Sequence, residues 1–261
     1  MSDAREPTQA AALGVGSEHS SRAPAATASA NSDVASAPAA ASAPVAADTA
    51  PTDTAQPIVL ELFTSQGCSS CPPADQLLGE LGARDDVIAL SFHVDYWNYL
   101  GWEDPFSSAR WSERQRQYAA RLGARLYTPQ LVVQGRADLV GSDRQAVERE
   151  VARPRAAPRA RLVAKAQRHG DEITVSLERS RDDLLTVIAL YERGHRTAVD
   201  AGENRRRTLE NDYVVREVAY IQGGDQATLM PSPAWRGELG VVVMLQDPET
   251  WEVLAAQRLT L

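Results

Sequence analysis

The sequence predicts a mixed α/β domain followed by an all-β, sandwich-like domain, behind a disordered N-terminal tail. Three observations predict it. Residues 1–57 read as disordered, and 20–57 are almost entirely Ala, Ser, Pro, Thr and Asp. Such a segment has little apolar surface to offset ordering entropy, and its prolines break the helix that alanine favours. Residues 58–157 alternate strand and helix patterns, as a mixed domain does. Residues 158–261 carry only short strand patterns separated by turn residues, the signature of a sandwich. A basic, proline-broken stretch, "RPRAAPR" (153–159), places the boundary near Pro158.

The elements follow in order. "IVLELFT" (58–64) is a strand by its β-branched and apolar content. "PADQLLGELGARDD" is a helix with Leu77, Leu78 and Leu81 on one face and Gly82 near its end. "VIALSFHVDYW" is a second buried strand, and "DPFSSARWSERQRQYAARLGA" an amphipathic helix with Trp111, Gln115, Tyr118 and Leu122 on one side. "PQLVVQGRADLVG" reads as a hairpin turning at Gln-Gly, and "SDRQAVEREVA" as a helix with Ser142 as its N-cap. The remaining strands begin with a hairpin at Gly170-Asp171 and end with "VLAAQRLTL".

Composition narrows the function. The 261 residues, 43% hydrophobic and 24% charged, suffice for one large or two small cores. A net charge of -8 argues against a nucleic-acid binder. No apolar run of about 18 residues reads as a transmembrane segment. The tail reads as a solvated linker or as a stalk behind a membrane anchor. Its start, "MSDAREPTQAAALGVG", has no apolar segment or cleavage site of a signal peptide, which leaves the cytoplasm open as a location.

The chain has two cysteines, Cys68 and Cys71, at the junction of the first strand and helix. A thiol there faces unpaired backbone N–H groups and the positive end of the helix dipole, and both favour the reactive thiolate. Two intervening residues let the second sulfur reach the first. Pro72 and Pro73 are tolerated only in a first helical turn, which starts the helix near Pro72 with Cys71 at its N-cap. Cys68 is then the more exposed, attacking thiol and Cys71 the resolving one. Thr128-Pro129 immediately precedes a strand and is a site for a cis peptide.

The order strand, CxxC helix, strand, helix, X-Pro, hairpin and helix resembles the thioredoxin fold. That resemblance implies that Pro129 is cis and packs beside the cysteines, and that Thr128 presents its backbone to a bound substrate chain. "ELFTSQGCSSCPPAD", "SFHVDYWNYLGWEDPF", "YTPQLVV", "VGSDR" and "GEN…RTL…VV" (202–204, 207–209, 214–215) together resemble domain-of-unknown-function family 1223. Its members are thioredoxin-like proteins often labelled secreted, which implies a periplasmic or secreted location.

Other residues keep two readings. Glu61 is either a buried acid that shuttles a proton to the resolving thiol, the role thioredoxins give such an acid, or a strand-edge Glu facing solvent. His93 either tunes Cys68 or is a hydrogen-bonded core residue. The aromatics of "DYWNYLGW" (95–102) floor a substrate groove or pack a core. "GENRRRTLEN" is a solvated loop or an anion or partner site. Its family motif, Gly202 to Leu209, holds a turn or docks the two domains.

The leading expectation is a thiol–disulfide oxidoreductase that needs no cofactor and acts on a disulfide-containing protein or a small thiol. The alternatives are a copper-handling protein using Cys68, Cys71 and His93, and a binding module with a structural disulfide.

Overall fold

The computed structural model describes residues 56–153, 160–179 and 181–261. The expected disordered tail and most of the 153–159 linker lie outside the described residues. Among those residues the chain is mixed α/β, with one large sheet and few helices.

The first strand β1 (Ile58–Thr64) leads through the cysteine loop to α1 (Pro72–Gly82), then to β2 (Val87–His93), parallel to β1. A short 3-10 turn (Asn98–Leu100) precedes α2 (Ala109–Leu122), capped by the Ser108 side chain. Asp104-Pro105, the expected helix opening, lies four residues ahead of that cap. The strands β3 (Gln130–Val133) and β4 (Ala137–Val140) form a hairpin beside β1. Gln134 and Gly135 turn it at φ 51° and 69°, the paired left-handed residues of a tight hairpin. Glycine is needed at 135 for a second reason: a Cβ there would lie 2.0 Å from the Trp251 carbonyl oxygen. The helix α3 (Arg144–Val151) is capped by Asp143, which accepts from the Ala146 N–H at 3.0 Å. Asp143, not the expected Ser142, is therefore the N-cap.

The later chain adds β5 (Leu162–His169), β6 (Glu172–Arg179), β7 (Leu185–Arg193), β8 (His195–Val199), β9 (Arg207–Asn211), β10 (Val214–Ile221), β11 (Gln226–Leu229), β12 (Glu238–Gln246) and β13 (Val253–Leu259). Four of these strands continue the sheet begun by β1. Its order is β13-β12-β7-β10-β2-β1-β3-β4. The join is β10 alongside β2, with Val214 opposite Ser91. The expected boundary near Pro158 thus does not divide the sheet. What was read as a separate sandwich is a second layer, β11-β6-β5, packed over β7, β12 and β13. The cause is visible in β7 and β12. Val187, Ala189, Val242 and Met244 enter the core shared with β1, while Ile188, Leu190, Val241 and Val243 enter the core under the second layer. Strands buried on both faces are central strands.

The two helices nearest the cysteines cover opposite faces of β1 and β2. Side chains alternate along a strand. Leu62 packs with Ala74 of α1 around Gly141, whereas Glu61 and Phe63 meet Tyr118 of α2.

Candidate active site

The loop between β1 and α1 carries the cysteines. Cys71 is the N-cap residue of α1, and Pro72 and Pro73 fill its first two positions. Cys68 and Cys71 are joined in a disulfide with Cα atoms 5.5 Å apart. Both are buried, at 1% and 0% exposure, so exposure barely separates them. Hydrogen bonding does. Thr128 donates its hydroxyl to Cys68 Sγ at 3.2 Å, and Ser70 Oγ lies 3.3 Å from the same sulfur. The Trp97 indole N–H donates to Thr128 Oγ1 at 2.8 Å. An indole only donates, so Thr128 accepts from Trp97 and its own proton is left to point at sulfur. The Thr128–Pro129 peptide is cis, as the resemblance implies. The Thr128 carbonyl accepts from Ser70 Oγ at 3.4 Å and lies 3.9 Å from Cys68 Sγ.

Gln66 holds the loop from every polar atom it has. Its N–H donates to Asp104 Oδ2 at 2.8 Å and its Nε2 to Asn211 Oδ1 at 2.9 Å. Its Oε1 accepts from the Trp102 indole at 3.1 Å, and its carbonyl from Asn204 Nδ2 at 2.9 Å. The same Asn204 nitrogen donates to the Cys68 carbonyl at 2.8 Å, and Arg207 donates to Asn204 Oδ1 at 2.8 Å. Glu203 Oε2 accepts from the Ser69 N–H at 2.9 Å. The stretch read as a solvated loop is therefore the tip of the β8–β9 hairpin laid on the cysteine loop, with Asn204 fully buried. Sequence reasoning named this motif without a chemical role. A partner more than 130 positions away leaves no local pattern.

Beneath the loop, on the α1 face, lies a buried polar group. His93 Nδ1 and Asp104 Oδ2 are 2.7 Å apart at 0% exposure for both side chains. Burial alone would push His93 down, but the Asp104 charge and hydrogen bond outweigh it and raise it above its ordinary value. Asp104 is likewise pushed up by burial, yet held below the usual range by His93 and by the Gln66 and Phe106 N–H groups. Asp75, four residues after Cys71 on α1, shares the helix face of Cys71. Burial raises it from 3.8 to about 7, against the opposing pull of His93 and Thr64 and with a further push from Asp104. Among the described residues, Ser91 Oγ and His93 Nε2 are buried without a hydrogen-bond partner, and Thr64 faces the Asp75 carboxyl. A cavity of about 520 Å³ between α1 and β9, lined by Glu80, Arg207, Glu210 and Asp212 among others, reaches Asp75 of this group.

Glu61 is buried, but on the other face. Arg114 Nε donates to its Oε2 at 2.6 Å and the Tyr118 hydroxyl to its Oε1 at 2.5 Å. The structure does not bring it to Cys71 with the residues above. His93 is held by Asp104, and among the described residues no group of three or more His, Cys, Asp or Glu is disposed to hold a metal. The aromatics divide their roles: Trp97 and Trp102 bond into the site, while Tyr99 is exposed beside it.

The family model described as "Protein of unknown function (DUF1223)" matches residues 59–246. A crystal structure of a structural-genomics target protein from Agrobacterium tumefaciens is similar at 30% identity and a TM-score of 0.57, over 77% of this chain and 92% of that one. A search of curated proteins returns no match.

Proposed function

The chain belongs to the family of unknown function DUF1223, and we propose that it is a thiol–disulfide oxidoreductase whose working part is thioredoxin-like. The parallel β1–β2 pair, α1 between them, and a cis proline opening the β3–β4 hairpin support the fold reading. The observation that carries the activity is the Trp97–Thr128–Cys68 hydrogen-bond chain, which aims a proton at one sulfur of the pair. A hydroxyl donating to sulfur favours its thiolate.

In the reduced protein, the Cys68 thiolate attacks one sulfur of a substrate disulfide. The Cys68–substrate bond forms, the substrate S–S bond breaks, and the departing thiolate takes the electron pair and then a proton. Cys71 then gives up its proton and attacks Cys68 Sγ, which expels the second substrate thiolate. The substrate gains two electrons and two protons, and the protein is left as the disulfide seen here. An external dithiol restores it. Asp75, near neutrality on the helix face of Cys71, accepts the Cys71 proton in this reading, the role expected of Glu61. The Thr128 carbonyl, beside Cys68, offers an acceptor to an extended substrate chain. A disulfide-containing protein in the periplasm or outside the cell suits this chemistry. No helix among the described residues is long and apolar enough to cross a membrane.

Reduction of insulin by dithiothreitol tests the proposal. The wild type should accelerate it, Cys68→Ser should abolish the acceleration, and Cys71→Ser should accumulate a mixed disulfide at Cys68. Wild-type protein that leaves the rate at background, or Cys68→Ser that retains full rate, would make the disulfide a structural staple.

A further inference from the structure

We propose that Glu203 poises the Cys68–Cys71 couple as a reductant, so that the site delivers electrons to disulfides instead of withdrawing them from thiols. The inference rests on the oxidoreductase reading and gives it a direction. A dithiol couple is oxidising when its reduced form, and above all its attacking thiolate, is stabilised. At a strand-to-helix junction that stabilisation comes from unpaired backbone N–H groups.

Here most of those donors are withdrawn, the Ser70 N–H excepted. Pro72 and Pro73 have none to offer. The Cys71 N–H donates to the Cys68 carbonyl at 3.3 Å, and those of Ala74 and Asp75 to the Cys71 carbonyl at 2.8 and 3.1 Å. The Ser69 N–H, between the cysteines, is taken by the Glu203 carboxylate at 2.9 Å. Glu203 thus acts twice: it removes a donor from the thiolate and sets a negative charge against the cysteine loop. Its bonds to Ser69 hold it below the usual carboxylate range, so it is ionised at neutral pH. The Thr128 and Ser70 hydroxyls remain to support the thiolate, enough for attack to proceed. Glu203 arrives from the β8–β9 hairpin, so the poise is set by a part of the chain outside the cysteine-bearing loop and helix.

The balanced exchange is protein dithiol plus glutathione disulfide giving protein disulfide plus two glutathione thiols. Two electrons pass to glutathione, and the two protons end on its thiols. The test mixes the reduced full chain with one equivalent of glutathione disulfide at pH 7, quenches with acid, alkylates and counts labelled cysteines by mass. The wild type should convert most of the glutathione disulfide. Glu203→Gln, an exposed and near-isosteric change, should shift the equilibrium constant toward the dithiol about three- to tenfold, tenfold being about 30 mV for a two-electron couple. The charge part of that shift should shrink in high salt. An equilibrium constant unchanged by Glu203→Gln, or a wild-type dithiol that leaves most glutathione disulfide intact, overturns the proposal. The outcome is separable from that of the activity. A responsive Glu203→Gln without insulin turnover sinks the oxidoreductase reading alone, and turnover with an unresponsive Glu203→Gln sinks the poise alone.

Discussion

The two faces of the β1–β2 pair both bury acids, and they treat them in opposite ways. On the α2 face, both oxygens of Glu61 are taken by Arg114 and Tyr118, Arg114 reaches on to the Tyr220 hydroxyl at 3.1 Å, and Gln246 donates to Tyr118 at 2.8 Å. The Arg114 guanidinium also lies 5.1 to 5.4 Å from the rings of Phe92, Tyr118 and Trp251. Apart from Gln246 Oε1, this network is closed. On the α1 face, Ser91 Oγ and His93 Nε2 have no partner among the described residues, and Asp75, four residues after Cys71, sits near neutrality. A saturated network holds one arrangement. A partly satisfied one responds when a proton arrives or leaves. One strand therefore carries a closed network on one side and an open one on the other.

The comparison breaks most visibly at Arg114. Arg114→Met leaves Glu61 buried without its cation and should cost about 3–5 kcal/mol in denaturant unfolding. If the loss were below about 1 kcal/mol, the α2 face would not be the scaffold described.

Asp75 should behave in the reverse sense. Its folded-state value of about 7 lies above its ordinary 3.8, so between those values the folded chain holds a proton that the unfolded chain has lost. Stability therefore falls as pH rises from about 4 to about 7, by up to about 4 kcal/mol. Thr64, His93 and Asp104 face this carboxyl from the sheet side, and Arg207, Glu210 and Asp212 from β9 and the residue after it. Asp75→Asn should remove the decline and exceed the wild type above pH 7. A variant that keeps the wild-type slope in urea unfolding across that range would place the titration elsewhere.

Smaller losses sharpen the picture of the loop. Asn204→Ala strips donors from the Gln66 and Cys68 carbonyls and should cost about 1–3 kcal/mol, read by thermal unfolding of the oxidised protein. Thr128→Val keeps the side-chain shape and removes both the hydrogen bond to sulfur and the acceptor of the Trp97 indole N–H. It should slow attack by Cys68 about two- to tenfold, read as the rate of thiol alkylation at neutral pH, with no change in fold.

What the sequence revealed was local. "IVLELFT" coincides with β1, and the double proline starts α1 at Pro72. Each depends on neighbours a few residues apart. The continuous sheet was hidden, although "TVIALY" and "VVVML" carried the signal: unbroken apolar runs belong to strands covered on both faces. Asn204 and Glu203 were beyond reach because their bonds close over 134 to 138 residues. Glu61 drew attention as an acid in an apolar strand. Strand periodicity puts it with Phe63, but nothing local says which helix covers that side. Asp75 passed as an ordinary helix residue, although its position four after Cys71 is legible once the helix start is known.

The most direct test of the two-face account is the resolving step alone. A chromogenic aryl thiol is loaded on Cys68, and its release by Cys71 is timed in a single turnover from pH 5 to pH 9. The wild-type rate should rise with an inflection near pH 7 as Asp75 ionises. Asp75→Asn should lose this inflection, keep only the later rise set by the ionisation of Cys71 itself, and be about a hundredfold slower at neutral pH. The paired variant Glu61→Gln with Arg114→Met, which removes both buried charges together, should keep the rise. An inflection near pH 7 that survives in Asp75→Asn, or that vanishes in the paired variant, would show that Asp75 is not the proton acceptor.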